Sequence, residues 1–395
     1  MKIATLTLHL PFNYGNALQM FSLHRYLLEQ GYEAEVLSHW YFEDQNEILY
    51  YHNLLRNNAW RKLLFLLRCL LFNGQWTQFL RETNIKRWQD KSIHWSEVTG
   101  ANSHFPTDKL KYDAIVVGSD QIWNPVHRTS DFFLLGDFPA TIRKIAYAAS
   151  FGGSDFPENR REFFQRHLKG FNAISVRESS AVDILHTMNL DSTLVCDPTL
   201  LHTREEWCGL LGIQPDLEAK PELMMYFVTP SHRVLWKEAC RVAQESKKKV
   251  HVYVFSWSHL TDCRWRPLRV GLRRCLTNLY IRSRLFFAGV RLHFAADPTE
   301  FVRRIASTEG LITDSFHGMM FATIFGKKCN VVIGTHPERQ QMSARLRNFI
   351  SEYSNPEILT EKPDLQAMRP LGISSGLLTL IQKSKAWLTA ALGKE

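Results

Sequence analysis

Gly310-Leu311-Ile312-Thr313-Asp314-Ser315-Phe316-His317-Gly318-Met319 is the stretch on which the reading of this chain turns. An apolar run, Gly310 to Ile312, gives way to Asp, Ser and His and is followed by a helix-like apolar run from Met319 to Phe325. A parallel strand ending at Thr313 would carry those polar side chains at its carboxyl end. The helix after it would aim its first free N–H groups at the same spot, which is where an anion binds. The competing reading is that Asp314 or Ser315 caps the helix and His317 packs in a partly buried position. The stretch by itself leaves both open.

Outward from this point the same strand-then-helix rhythm repeats. Residues 2–8 read as a first strand, 16–30 as a helix closed by Gly31, and 33–38 as a second strand, which makes a βαβ opening. Residues 51–88 read as two helices, of which 63–72 is markedly apolar. Short β-rich runs follow at 113–117, 144–148, 173–176 and 193–196. After a polar stretch ending at Pro221 the rhythm restarts: strand 223–228, helix 231–245, strand 249–255, helix 300–306, the strand at Gly310, strand 330–333 and helix 339–349. The pattern predicts an α/β fold of two Rossmann-like domains. Their expected spans are 1–205, with a helical insertion at about 45–100, and 206–395.

Composition agrees with that size. The chain has 395 residues, 45% of them hydrophobic, enough for a sizeable core and two domains of ordinary length. Its seven cysteines form no CxxC pair or Cys/His cluster and are odd in number, which argues against a disulfide framework or a zinc site. The start, Met1 to Leu6, has no signal-peptide pattern, and no run is apolar for the length of a membrane span, so the cytoplasm is the expected location.

The formal net charge of +9 is unevenly spread. Between Asp262 and Asp297 there is no acidic residue, while Arg264, Arg266, Arg269, Arg273, Arg274, Arg282, Arg284 and Arg291 are interleaved with Trp265, Tyr280, Phe286 and Phe287. Such a segment attracts phosphate-rich surfaces. No nucleic-acid-binding signature accompanies it. Peripheral contact with an anionic membrane through 264–291, or a lipid-pyrophosphate-linked substrate held there, fits as well, set against a solvated basic excursion with no partner.

Four more strand ends carry polar groups. In Asn13-Tyr14-Gly15-Asn16, Gly15 allows a tight turn and Asn16 can cap the helix; this is no GxGxxG, so a dinucleotide site is unsupported. In Gly118-Ser119-Asp120-Gln121-Ile122-Trp123, directly after an apolar strand, Ser119, Asp120 and Gln121 offer hydroxyl, carboxylate and amide to a polyhydroxy ligand, or simply form a turn. Arg177, in Ser175-Val176-Arg177-Glu178, can bind a carboxylate or phosphate through two parallel hydrogen bonds, or pair with Glu178 or another nearby acid. In Cys196-Asp197-Pro198 the proline ends the strand and Asp197 holds the turn.

In order and spacing these segments resemble the polysaccharide pyruvyl transferase family, over roughly residues 1–350. The resemblance implies a GT-B-like two-domain fold with a cleft between the domains and transfer of a pyruvyl group from phosphoenolpyruvate onto a saccharide acceptor, with release of phosphate; a lipid-linked glycan precursor is one acceptor the basic segment would suit. It implies a functional histidine at His317 and a donor-binding arginine, which maps to Arg177. No metal or redox cofactor is required by that chemistry, since an acid, a base and anion binding suffice.

Within that frame Asp314, three residues from His317, is expected to orient the imidazole, and Asp120 to act as base toward the acceptor. Ser315 and Gly318 join Arg177 and His317 around the donor; Asn13, Asn16, Ser119 and Gln121 surround the acceptor. Two further classes remain: a nucleotide-sugar glycosyltransferase on the same architecture, and a non-catalytic, membrane-surface glycan-binding protein that works through its Arg-rich segment.

Overall fold

A computed structural model describes residues 1–9, 13–40, 74–214, 219–228, 235–254, 271–333 and 346–393. Most of the first helix expected within 51–88, its apolar run 63–72 and the arginines at 264, 266 and 269 lie outside the described residues.

The first half is a seven-stranded sheet, all parallel. It is built from β1 (Lys2–Leu6), α1 (Tyr14–Glu29), β2 (Glu33–Trp40), α2 (Gly74–Ser92), β3 (Trp95–Ala101), β4 (Ala114–Val117), β5 (Arg143–Ala149), α3 (Glu158–Leu168), β6 (Ala173–Val176), α4 (Ser179–Thr187), β7 (Thr193–Leu194) and α5 (Arg204–Leu211). Its strand order is β3-β2-β1-β4-β5-β6-β7. Strands such as Ala114-Ile115-Val116-Val117 are buried on both faces, as a sheet covered by helices on each side requires.

The second half repeats the plan with β8 (Lys220–Phe227), α6 (Leu235–Ser246), β9 (Lys249–Val254), α7 (Gly271–Phe287), β10 (Val290–His293), α8 (Pro298–Ser307), β11 (Thr308–Thr313), α9 (Phe316–Ile324), β12 (Lys328–Val332), β13 (Leu359–Thr360) and β14 (Arg369–Pro370). The order is β10-β9-β8-β11-β12-β13, parallel, with β14 running antiparallel to β12. A last helix, α10 (Ser375–Ala391), returns to the first half: Ser384 Oγ accepts from the Cys196 N–H at 2.8 Å, and Trp387 lies 6.3 Å from Tyr147, ring to ring.

Each sheet therefore reverses its strand order once, between β1 and β4 and between β8 and β11. In open α/β sheets such a reversal opens a crevice beyond the carboxyl ends of the strands. The two halves form the α/β, GT-B-like arrangement that the resemblance implies.

Alternation along the strands divides the core in three. Ile115 and Val117 face one cluster with α3 and α4, and Leu223, Met225, Val250 and Val252 face another with α6 and α7. Ala114, Val116, Met224, Tyr226 and Leu311, on the opposite faces, belong to a single cluster that spans both halves.

Several boundaries differ from the sequence expectation for local reasons. The helix expected from Asn16 begins at Tyr14, because Asn13 Oδ1 accepts from the Gly15 N–H at 2.7 Å and supplies the cap. Residues 95–101, expected inside a helical insertion, form an edge strand on β2. The strand expected over 193–196 stops at Leu194, ahead of the turn that Asp197 and Pro198 impose.

Candidate active site between the two strand-order reversals

A cavity of about 270 Å³ lies where the two reversals face each other, close to the lower end of the ~300–1,000 Å³ typical of small-molecule sites. Leu8 and Asn13 line it from beyond β1, Asp120 to Ile122 from beyond β4, Val228 from beyond β8, and Asp314 to His317 from beyond β11. Asn16, His127, Ser130, Phe133 and Leu346 complete the described wall.

Two helix N-termini border this space. At α9, Ser315 Oγ accepts from the Gly318 N–H at 3.2 Å, so Ser315 is the cap. Among the described residues the N–H groups of Phe316 and His317 meet no protein acceptor. At α1 the cap is Asn13, which also accepts from the Tyr226 hydroxyl of the other half at 3.4 Å. The positive ends of both helices favour an anion in the cavity. No lysine or arginine occurs among the described lining residues.

Arg177 sits behind this cavity. Its side chain is 1% exposed and all three of its nitrogens donate to protein groups: Nη1 to Asp197 Oδ2 at 2.7 Å and Ser119 Oγ at 3.3 Å, Nη2 to Asp120 Oδ1 at 3.1 Å, and Nε to Glu178 Oε1 at 3.2 Å. Its guanidinium also lies 5.1 Å from the ring centre of Phe316 across the crevice. Burial works against its charge, but the three carboxylates outweigh that and raise its pKa further. The sequence expectation of a guanidinium held out to a donor anion thus meets a side chain whose forks are already filled with acids.

Asp197 is the residue that sequence reading undervalued. Its Oδ1 does hold the turn, accepting from Thr199 N at 3.0 Å and Thr199 Oγ1 at 2.7 Å. Its Oδ2 takes Arg177 and faces His317 Nε2 at 3.5 Å. Burial raises its pKa, but His317 first and Arg177 after it overcome that and hold the carboxyl far below the usual range. The arrangement keeps Asp197 ionised beside an imidazole. Asp314 was expected to orient His317; its Oδ1 accepts from Val228 N at 2.7 Å, tying the end of β11 to the end of β8.

His317 is 7% exposed and lies against α1: a Cβ on Gly15 would sit 2.2 Å from His317 Nδ1. Gly15 thus leaves space for an imidazole from the other half, where the sequence suggested only a tight turn. Gly318 is less crowded: a Cβ there would stand 3.0 Å from Thr313 Oγ1 and 3.3 Å from Ser315 and Tyr226.

The backbone after β4 departs from regular geometry. The Gly118–Ser119 peptide is cis, Gly118 has φ +131 with Tyr147 O where a Cβ would stand, and Asp120 has φ 71. A left-handed conformation costs a non-glycine residue about 1–2 kcal/mol. It is offset here by Asp120 O accepting from Ile122 N and Ser150 N and by Oδ1 accepting from Gln121 N. Ser119 is buried: its O accepts from Thr7 Oγ1 and its N–H donates to Gln19 Oε1. Gln121 reaches the cavity wall, where its Oε1 accepts from Asn124 Nδ2 at 3.1 Å. Trp123 is a core residue with Nε1 donating to Phe133 O.

The cavity therefore gathers Asn13, Asn16, Asp120, Gln121, Asp314, Ser315 and His317, while Ser119 and Arg177 stand in the layer behind and Gly318 serves packing. His127, Ser130 and Phe133 were missed; only their position in the loop after the Gly118 motif could have pointed to them. Among the described residues no group of three His, Cys, Asp or Glu side chains is arranged to hold a metal ion.

A family model described as polysaccharide pyruvyl transferase matches residues 13–336. No curated protein matches the chain. Solved structures similar to it include a UDP-GlcNAc 2-epimerase from Neisseria meningitidis bound to UDP-GlcNAc, at 12% identity over 99% of this chain and 94% of that one, with a TM-score of 0.48. A UDP-GlcNAc 2-epimerase from Methanocaldococcus jannaschii has 10% identity over 100% and 94%, with a TM-score of 0.49. An alpha-glucosyltransferase in complex with UDP and DNA has 8% identity over 99% and 92%, with a TM-score of 0.45. Likeness at this level says nothing of substrate or chemistry.

Proposed function

The chain belongs to the polysaccharide pyruvyl transferase family, and on that premise we propose that it moves a pyruvyl group from phosphoenolpyruvate onto two hydroxyls of a saccharide, releasing phosphate. The observation that carries the reading is the meeting of His317 and Asp197, contributed by opposite halves, beside a cavity bordered by two helix N-termini. The phosphate and carboxylate of the donor lie against the α9 and α1 N-termini, and the saccharide against Asn13, Asn16 and Gln121.

In this reading protonation at C3 of phosphoenolpyruvate makes C2 electrophilic. An acceptor hydroxyl gives up its proton and bonds to C2, the C2–O bond to phosphate breaks, and the second hydroxyl bonds to C2 to close the ketal, its proton leaving with the phosphate. His317 moves a proton or steadies the phosphate, with ionised Asp197 fixing its ring. Asp120 takes the acceptor proton. Arg177 acts through its partners, holding Asp197 and Asp120 in place, and Ser315 acts as the cap that presents the α9 N–H groups.

General acid–base groups contribute ~100–10,000-fold, so His317→Ala is expected to lose turnover in that range while melting like the parent. The assay follows inorganic phosphate from phosphoenolpyruvate with a panel of saccharides, beside nucleoside diphosphate from nucleotide sugars. Nucleoside diphosphate release with no phosphate release, or full activity in a folded His317→Ala variant, would overturn the reading.

A further inference from the structure

We propose that the outward face of α7 is a docking surface for an anionic lipid membrane. Leu279, Tyr280, Phe286 and Phe287 are 63%, 56%, 77% and 85% exposed. At about 100° per residue, Leu279 and Phe286 fall on one line along the helix and Tyr280 and Phe287 on a second, with Ser283 between them. Exposed Arg282 and Arg284 border this stripe on either side. Ile281 and Leu285 point the opposite way, into the core beneath. Exposed Arg291 follows at the start of β10.

The pattern is amphipathic on the side away from the core. A helix that serves only its own fold shows water a polar surface; this one shows water three large apolar side chains and a tyrosine, edged with guanidinium groups. That is the pattern of a helix lying in a lipid interface, apolar rings among the acyl chains and arginines at headgroup level. No described helix is long and apolar enough to cross a membrane. The charge favours lipid over a second copy of the chain: residues 263–296 contain no acid, so pairing this face with itself would bring arginines together without a carboxylate from the segment to offset them. Each arginine near an anionic surface strengthens binding about fivefold.

The test is co-sedimentation of the full chain with vesicles of phosphatidylglycerol and phosphatidylcholine, and of phosphatidylcholine alone. The chain is expected to bind the anionic vesicles, less so as salt rises. A Phe286→Ser/Phe287→Ser variant, checked by circular dichroism and melting, should bind at least ~10-fold more weakly, and Arg282→Gln/Arg284→Gln/Arg291→Gln should lose the preference for anionic lipid. Absence of vesicle binding by the parent, or undiminished binding by the folded serine variant, would overturn the proposal. So would a parent dimer that the serine substitutions convert to monomer without a change in vesicle binding, which would assign the face to a second copy.

Discussion

Gly15 has no room for a side chain, since a Cβ there would stand 2.2 Å from His317 Nδ1. In an ordinary helix Gly→Ala gains about 1 kcal/mol; here the imidazole must move. Gly15→Ala is therefore expected to lower turnover ~100-fold or more, as misplacement of a reacting group by about 1 Å does, with little loss of melting temperature. Steady-state kinetics beside a thermal melt checks this. Asp197 supplies a pH signature. Its folded pKa is lowered, so its contribution to stability is fully present above the unfolded value of about 3.9 and drains away as the pH falls below that. In Asp197→Asn that part of the acid-induced loss should vanish. Neutral stability should drop by about 2–3 kcal/mol, less than the ~3–5 of a fully unpaired buried charge, because Asp120 and Glu178 still face Arg177. Urea titrations across acid pH read both. At this scale the sequence offered Arg177 and His317 as reactive types, but a guanidinium surrounded by acids and one that awaits a ligand look alike in a string of letters. Asp197 was legible as a turn residue because Pro198 follows it; its second oxygen was not.

The elements themselves were largely legible where local chemistry repeats. The buried strands 114–117, 173–176 and 308–313 announce themselves by apolar runs bounded by turn residues, and Gly31, at φ +81, closes α1 as a glycine does. Less legible were β3 and β10, which are edge strands among the described residues: Trp95-Ser96-Glu97-Val98 and Val290-Arg291-Leu292-His293 mix polar and apolar residues, each pairing with one described strand. The return of α10 to the first half also leaves no local trace, since it depends on contacts such as Ser384 with Cys196 across 188 positions. Ser384 is fully buried, and Ser384→Ala leaves the Cys196 N–H without its acceptor. A loss of about 1–3 kcal/mol is expected, read as a lower urea midpoint at unchanged m-value.

At the scale of the molecule, two parallel sheets were predictable from the repeated rhythm of strand and helix and the cleft between them from the family resemblance, whereas the shared core was not. One apolar cluster runs from Ile3 through Tyr14, Phe301 and Phe321 to Leu392, and Tyr14 of α1 stacks on Phe301 of α8 at 4.6 Å. The halves should consequently unfold together, with calorimetric and van't Hoff enthalpies in agreement; two separated transitions would contradict a shared core. The same juxtaposition brings His317 to Asp197 and creates the cavity on which the proposed chemistry depends. The most direct test of that chemistry is mass spectrometry of the saccharide formed from phosphoenolpyruvate in D2O. The account predicts a pyruvyl ketal whose methyl group carries one solvent deuterium, formed by the parent and, at a rate lower by orders of magnitude, by His317→Ala. An acceptor that returns unmodified, or one extended by a sugar only when a nucleotide sugar is supplied, would contradict it.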